Sequence, residues 1–277
     1  EHVRRARRQG LRYLLWTAPF FLGAGTGRAE TVPTVGGEPG SYRVFDPACG
    51  EELARVLREH RELFRSYRLD GVKLDFLAHV PVDPAHPHGR AAWNAVRELT
   101  GAVRQENPLA LIEFRQFYST PATLGFATQF RANDTPFDFL ENLHRVAQLR
   151  LMLGDGVAVH ADPACWHPGE SAVNVARHMA AAVAGVPMVS MDLARLSPEH
   201  REILRDYLVF YREHREFFRR AHWSVRYDGG QLASLTAEYG GEKIVWVQSA
   251  AGVRDAAGAC CVLNPAAECW PLESGPL

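Results

Sequence analysis

Short apolar segments alternate with longer amphipathic segments along most of this chain, and this alternation constrains the fold more than any other feature. The sequence predicts strands at residues 11–19, 71–77, 110–117, 128–134, 157–163 and 186–193. It predicts helices at residues 51–66, 90–106, 139–152, 171–184 and 197–219. A regular succession of strand and helix predicts a parallel sheet that is covered by helices.

The ends of the predicted strands favour one kind of parallel sheet. No glycine-rich phosphate loop follows any of them, which counts against Rossmann and P-loop folds, and no cofactor is predicted. Polar side chains instead gather at the carboxyl ends of the strands, where the active site of a TIM (β/α)8-type barrel lies. On the expected inward face these residues are Trp16, Lys73, Asp75, Glu113, Arg115, Arg131, Asn133, His160, Asp162, Ser190 and Asp192.

Six strand–helix units are visible, whereas a closed barrel of this type has about eight strands. We therefore predict that residues 1–220 form the last six units of the barrel and that the chain is truncated at its N-terminus. After Ala221 the pattern changes to short strands that are joined by Gly-Gly turns. Residues 221–277 are predicted to be the start of a small all-β domain that continues beyond Leu277.

Composition excludes several classes of protein and partner. The chain has 277 residues, of which 47% are hydrophobic, and a formal net charge of −1, so neither nucleic acid nor an anionic membrane is an expected partner. No apolar stretch is long enough to span a bilayer. Five cysteines without CxxC spacing support neither a disulfide framework nor a structural metal site. Whether the chain forms oligomers is left open.

The stretch LDGVKLDFL carries the first candidate for chemistry. In an extended strand Val72 and Leu74 share one face with Phe76, while Lys73 and Asp75 share the other. A ring of charged and aromatic residues without a cofactor motif favours carbohydrate chemistry, in which two carboxyl groups flank a glycosidic bond. Asp75 is predicted as the nucleophile, because Lys73 on the same face holds it ionised.

The second carboxyl group is predicted in the stretch FRANDTP. Asp134 follows a strand end, and Arg131 and Asn133 are placed to orient it, so Asp134 is the candidate general acid and base. The alternative is that Asp134 only forms a turn or caps a helix. Trp16, Lys73, Glu113, Arg115 and Arg131 are predicted to contact substrate.

The stretch HADPACWH admits two interpretations. His160, Asp162 and His167 resemble part of a metal site, but no second strand offers an inward histidine, so no metal is predicted. We predict instead that His160 and Asp162 bind sugar hydroxyls and that a sugar ring stacks on Trp166. The alternative for His160 and Asp162 is a hydrogen-bonded pair that fixes a loop. A Schiff base on Lys73 is disfavoured, because the aspartate two residues away keeps the lysine charged.

Three stretches resemble the melibiase-type α-galactosidases of glycoside hydrolase family 36, within the clan that also holds family 27. They are GLRYLLWTAPFF, YRVFDPACGEELARVLREHRELFRSYRLDGVKLDF and VPMVSMDLARLSPEHREILRDYLVFYREHREFF. The resemblance implies a nucleophile role for Asp75, a hydroxyl-binding role for Lys73 and an acid/base role for Asp134. It also implies a retaining α-galactosidase that acts on an α-linked galactoside oligosaccharide or glycoconjugate.

Two departures from this family place the chain in a divergent branch. The family's Lys-Trp-Asp strand, with Asn two places on, has Leu74 and Leu77 here. Its Cys-Ser-Ser-Gly-Gly-Gly-Arg loop is replaced by RQFYSTPATLG. Sugar specificity is therefore open, and the alternatives are an α-glycosidase or transglycosylase of other specificity, such as one for α-N-acetylgalactosaminides, or a non-catalytic carbohydrate-binding barrel.

Overall fold

The computed structural model describes residues 1–38, 40–80 and 89–266 and divides into two compact units. Unit 1 is Glu1–Gln129 and unit 2 is Phe130–Leu277. Unit 1 contains the helices α1 (His2–Arg8), α2 (Gly50–Tyr67) and α3 (Gly89–Glu106). Its strands are β1 (Leu14–Thr17), β2 (Phe21–Gly23), β3 (Thr34–Glu38), β4 (Tyr42–Phe45), β5 (Gly71–Leu74) and β6 (Leu111–Arg115). Strand β7 (Gln129–Arg131) crosses the boundary between the units.

Strand β5 lies at the centre of a parallel arrangement in unit 1. It pairs in parallel with β1 on one side and with β6 on the other. Val72 and Leu74 are fully buried, as the alternation of the sequence predicts for the apolar face. The register places Trp16 beside Lys73 and Lys73 beside Glu113. The side chains of Trp16, Lys73 and Glu113 therefore lie at the same level of the sheet, near the carboxyl ends of β1, β5 and β6.

The close approach of β5 and β6 depends on the glycine at the start of β5. A Cβ atom on Gly71 would lie 2.2 Å from the carbonyl oxygen of Leu111, which belongs to the backbone of β6 and has no side-chain freedom to move away. We expect Gly71→Ala to lower the free energy of unfolding by about 3 kcal/mol, measured by urea denaturation. Gly101→Ala in α3 is the matched control, since no atom lies within 4 Å of its added Cβ and alanine favours helix. Equal stability of Gly71→Ala and wild type would contradict this packing.

A second sheet in unit 1 was not predicted from the sequence. Strands β2, β3 and β4 form an antiparallel sheet in the order β2-β4-β3 between β1 and α2. Phe20, Leu22, Val44 and Phe45 are buried by it. The strands are short and β3 contains two adjacent glycines, so no clear period-2 alternation is present for a sequence pattern to detect.

Unit 2 contains the remaining strands and helices of the alternating part of the chain and a second β sheet. Its helices are α4 (Phe139–Leu153), α5 (Ala172–Ala182), α6 (Pro198–Glu213) and α7 (Arg215–Arg220). Its further strands are β8 (Ala158–His160), β9 (His222–Asp228), β10 (Gln231–Tyr239), β11 (Glu242–Val247) and β12 (Cys261–Leu263). The backbone N–H of Ala132 donates to the carbonyl of His160 at 2.9 Å, next to β7 and β8.

Two elements of unit 2 differ from the prediction. The predicted strand 186–193 is reduced to isolated parallel bridges, which join Val186 to His160 and Val189 to Ala164. Pro187 lies between the two bridges and has no N–H to donate to a continuous ladder. The predicted helix 197–219 was wrong as a single element, because it divides at His214 into α6 and α7.

The C-terminal strands form a mixed sheet in the order β12-β11-β10-β9, in which β9, β10 and β11 pair antiparallel and β11 pairs in parallel with β12. Gly229 and Gly230, in the turn between β9 and β10, both have positive φ, as expected for a tight Gly-Gly turn. Residues 267–277 of the predicted β domain lie outside the described residues, and the domain division at residue 220 stays a prediction. The chain is thus mixed α/β, with parallel strands and a separate β sheet, which is consistent with part of a barrel followed by a β domain.

Two further observations concern only the described part of the chain. None of its helices combines the length and the apolar character needed to cross a membrane. Cys49, Cys165, Cys260 and Cys261 are free thiols, and Cys269 lies outside the described residues.

Candidate active site

Asp75 is the first residue after strand β5, at the carboxyl end of the parallel sheet of unit 1. Its backbone N–H donates to the carbonyl of Thr17 at 2.8 Å, which continues the pairing of β5 with β1 by one residue. The residue is only 3% exposed. A charged carboxylate at such a position is stable only when hydrogen bonds and opposite charges replace its water shell.

Four groups supply this replacement, and together with Asp75 they are called the Asp75 cluster. The indole N–H of Trp16 donates to Oδ2 at 2.9 Å, and the backbone N–H of Phe76 donates to Oδ1 at 2.9 Å. The ammonium of Lys73 lies 3.4 Å from Oδ2, and the guanidinium of Arg115 lies 3.3 Å from Oδ1. Both carboxylate oxygens therefore accept from a neutral donor and face a positive charge.

The Asp75 cluster keeps the carboxyl group ionised. Burial by itself raises the pKa of Asp75, but the hydrogen bonds from Trp16 and the Phe76 amide, together with the charges of Lys73 and Arg115, outweigh it. The pKa therefore lies below its ordinary value of 3.8. Asp75 is a carboxylate throughout the neutral and weakly acidic range, as a nucleophile requires.

Removal of the indole donor is expected to weaken this effect. In Trp16→Phe the carboxylate loses a hydrogen bond to its charged form, so the pKa of Asp75 rises. A lowered pKa in the folded state stabilises the fold above the unfolded pKa, and this contribution disappears as the pH falls through the folded pKa. In the variant the folded pKa lies closer to the unfolded one, so the contribution is smaller and its loss is complete at a higher pH.

The measurement is the titration midpoint of the Asp75 carboxyl carbon by NMR, in Trp16→Phe and in wild type. Trp93→Phe is the matched control, because Trp93 lies in α3 and its ring packs against Phe126. A midpoint in Trp16→Phe equal to or lower than the wild-type midpoint would show that the indole does not hold the charge.

Phe76 has a role that the sequence pattern did not predict. Strand β5 ends at Leu74, and Phe76 adopts a left-handed backbone with φ of 56°, so it does not continue the apolar face of the strand. This conformation is uncommon for a bulky residue. Its ring stacks on Phe21 at 5.1 Å and meets Trp16 edge-on at 5.9 Å. Aromatic packing thus accompanies the turn that aims the Phe76 amide at Asp75.

Glu113 lies in β6, beside Lys73 in the register of the sheet, and is 4% exposed. The side-chain amide of Gln129 donates to its Oε2 at 2.7 Å. Gln129 was not predicted as a site residue. The sequence feature that could have indicated Gln129 is its position at the start of β7, a strand whose carboxyl end was predicted to carry site residues.

Unit 2 contains a second set of polar and charged groups, here called the Arg131 cluster, which consists of Arg131, Asp134, Thr135, Asn142 and Asp162. Arg131 is buried, and its guanidinium pairs with Asp162 through Nη1 and with Asp134 at 2.8 Å through Nη2. The side chain of Asp134 is 62% exposed, in contrast to Asp162 at 5%. The arginine therefore joins an internal carboxylate to one that is open to ligands.

Asp162 is engaged on both of its oxygens. Oδ1 pairs with Arg131, and Oδ2 accepts from the backbone N–H of Thr135 at 2.7 Å. Asn142 in α4 holds the same residue through two bonds to its backbone, at 2.9 and 3.0 Å. Asp162 thus positions Arg131 and the turn after Asp134, and its direct contact with a sugar stays a prediction. Thr135 and Asn142 had no distinguishing sequence signal.

His160 and Trp166 belong to the same stretch as Asp162 but have different surroundings. His160 ends β8 and is half-buried. Trp166 is 2% exposed, and its ring packs near those of His178 and His200 at 5.9 and 6.3 Å. A sugar can stack on Trp166 only if this packing opens, so Trp166 is not part of the proposed site.

Among the residues that the structure describes, no three His, Cys, Asp or Glu side chains converge in a way that would hold a metal ion.

No protein-family profile matches the sequence, and no curated protein matches it. Solved structures do match. A GH36 alpha-galactosidase from Geobacillus stearothermophilus in complex with 1-deoxygalactonojirimycin aligns with a TM-score of 0.69 and 13% identity, over 85% of this chain and 35% of that one. An alpha-galactosidase from Lactobacillus brevis aligns with a TM-score of 0.66 and 18% identity, over 86% of this chain and 35% of that one.

A third similar structure is an alpha-galactosidase from Thermus thermophilus in complex with stachyose. Its TM-score is 0.58 at 23% identity, over 75% of this chain and 51% of that one. This chain therefore spans about a third to a half of the length of these proteins. At such identities the similarity is one of fold, and the chain has the fold of the corresponding part of these alpha-galactosidases.

Proposed function

We propose that this chain is part of a retaining α-glycoside hydrolase and that its substrate is an α-galactoside. The observation that carries the proposal is the Asp75 cluster: a buried carboxylate at the carboxyl end of a parallel strand, held ionised by an indole, a backbone amide and two cations. The fold similarity to alpha-galactosidases supports the reaction class. An oligosaccharide or glycoconjugate with a terminal α-linked galactose is the proposed substrate.

Asp75 is proposed to attack the anomeric carbon. As its oxygen forms the new bond, the glycosidic C–O bond breaks and the leaving oxygen takes a proton from Asp134. Asp134 then removes a proton from water, which attacks the anomeric carbon and releases Asp75. Each step inverts the anomeric centre, so the product retains the α configuration. Neither step consumes a cofactor.

The remaining groups have proposed supporting roles. Lys73 carries a fixed positive charge beside Asp75 and is suited to bind sugar hydroxyls as well as the carboxylate. Trp16 is 53% exposed although its indole N–H is bonded to Asp75, so its ring face is open to a sugar. Arg131 orients the exposed Asp134.

A non-catalytic carbohydrate-binding barrel is the second candidate. The observation in its favour is that the two oxygens of Asp75 already face four donors or cations in the Asp75 cluster, which lowers the nucleophilicity of the carboxylate unless the substrate displaces one of them.

Hydrolysis of 4-nitrophenyl α-D-galactoside and of raffinose by the full-length protein tests the proposal. Product configuration, followed by NMR immediately after mixing, is expected to be α. A β product would exclude the double displacement. Absence of turnover on a panel of α-glycosides, with binding of galactose detected by calorimetry, would favour the carbohydrate-binding barrel.

A further inference from the structure

The loop that carries Asp134 also carries an exposed aromatic residue, Phe137, three positions further along the chain. Phe137 is 63% exposed, and the side chain of Asp134 is 62% exposed. Three residues of chain span at most about 11 Å, so both side chains project from one short segment of unit 2. Single exposed apolar residues are common on protein surfaces, and exposure alone therefore assigns no role to this ring.

The backbone distinguishes Phe137 from an ordinary exposed residue. The N–H of Asp138 donates to the carbonyl of Thr135 at 3.1 Å, which closes a β-turn with Pro136 and Phe137 at its centre. Phe137 has a φ of 66°. A proline followed by a residue with positive φ is the pattern of a type II turn, in which the second of these positions is ordinarily glycine or asparagine. A bulky side chain in this conformation destabilises the turn.

Both ends of the turn are fixed to the rest of unit 2. The N–H of Thr135 donates to the buried carboxylate of Asp162 at 2.7 Å. Asp138 caps α4 by accepting from the backbone N–H of Glu141 at 2.9 Å. The strained backbone of Phe137 is thus held in place, while its largely exposed ring adds little packing to offset the strain. Strain that the fold does not need is typical of a residue that contacts a ligand.

The proposed reaction brings one part of the substrate close to this turn. The glycosidic oxygen has to lie within hydrogen-bond reach of Asp134, which protonates it. The nucleophile attacks from the opposite side of the anomeric carbon, so the leaving group lies on the side of the acid and away from Asp75. The group bonded to the glycosidic oxygen therefore comes within reach of a side chain in the same loop as Asp134.

The surroundings of Phe137 suit a sugar ring. One face of a pyranose ring carries C–H groups, which pack on an aromatic ring. Pro136, Phe137 and Asp138 are all exposed, so the hydroxyls of a sugar at this position keep their hydrogen bonds to water. An aryl group at so open a position leaves much of its apolar surface in water and gains less from binding.

We propose that the ring of Phe137 stacks on the sugar from which galactose is cleaved, which makes Phe137 a specificity-determining residue for oligosaccharide substrates. This inference rests on the proposed function. Asp134 protonates the oxygen between the two sugars, and Phe137 holds the second sugar beside that oxygen.

The test is the ratio of kcat/KM for raffinose to kcat/KM for α-D-galactosyl fluoride, whose leaving group is too small to reach Phe137. Phe137→Ala is expected to lower this ratio about three- to tenfold, and Phe137→Trp is expected to preserve it. Leu151→Ala is the matched control, since Leu151 is 66% exposed and lies in α4 of the same unit. An unchanged ratio in Phe137→Ala, in an enzyme that hydrolyses both substrates, overturns the inference and leaves the proposed function intact.

A glycine variant tests whether the ring is kept at the expense of stability. Phe137→Gly removes ring and strain together, so its Tm is expected to rise by about 2 °C while the substrate ratio falls as in Phe137→Ala. Arg68→Gly is the matched control, because Arg68 ends α2 with a φ of 52° and the substitution relieves strain without a change in the ratio. A lower Tm in Phe137→Gly shows that the ring packs within the fold, which contradicts the inference.

A binding measurement distinguishes failure of the inference from failure of the proposed function. In saturation-transfer NMR with raffinose, Phe137→Ala is expected to weaken transfer to the glucosyl protons relative to the galactosyl protons. If no substrate is hydrolysed but this difference is seen, the sugar contact of Phe137 is supported and the hydrolase proposal fails. If no substrate is hydrolysed and the transfer pattern is unchanged, the contact is overturned as well.

Discussion

The variant Asp75→Ala is expected to hydrolyse 4-nitrophenyl α-D-galactoside about 10⁴-fold more slowly than wild type, or slower still. Its side chain no longer supplies the oxygen that forms the covalent intermediate, while Lys73 and Arg115 lose the carboxylate that they face. Addition of azide should restore turnover and give the β-galactosyl azide, because the small anion enters the space of the missing carboxylate and attacks once.

Stability must be checked in parallel, since removal of the carboxylate leaves two cations next to each other at a site where Asp75 was 3% exposed. Asp75→Asn keeps the size of the side chain and is the companion variant. If both variants fold, as judged by circular dichroism, and still hydrolyse the substrate at the wild-type rate, Asp75 is not the nucleophile. Turnover with azide but an α-configured azide product would also contradict the assignment.

The variant Asp134→Ala is expected to lose about 10²- to 10⁴-fold in kcat/KM for raffinose, and much less for an aryl galactoside with a strongly acidic phenol. A poor leaving group needs the proton that Asp134 donates, whereas an acidic phenol departs without it. Azide is expected to accelerate this variant too, but with an α-galactosyl azide as product, because the covalent intermediate on Asp75 still forms.

Asp138→Ala is the matched control for Asp134→Ala. Asp138 caps α4 by accepting from the backbone N–H of Glu141 at 2.9 Å, so its removal should cost about 1 kcal/mol of stability without any dependence on the leaving group. An equal loss on both substrates in Asp134→Ala would show that Asp134 acts through the turn or through Arg131 and not as the acid.

Much of the part of the chain in which strands and helices alternate was predictable, because its signals are local. Five of the six predicted strands appear, as β1 and β5 to β8, within about three residues of the predicted bounds, and α2 to α5 agree similarly. The antiparallel sheet after residue 221 was marked by its glycine turns. The irregular segment at Val186 and the break at His214 were missed, because apolar composition and helical periodicity continue through both.

The direction of a side chain along one strand is a local property of the chain, whereas the contacts between strands are not. Alternation along one strand placed Lys73 and Asp75 on the same face, because side-chain direction in a strand follows from the backbone alone. The Phe76 amide, the Trp16 indole and Arg115 reach Asp75 across gaps of one, 59 and 40 residues, and the longer gaps close only when β1 and β6 pair with β5. The stack of the Tyr42, Phe21 and Phe76 rings likewise depends on a sheet that had no sequence pattern. The sequence therefore determined which residues carry charge and where the strands end, and the tertiary structure decided which groups hold the charge of Asp75.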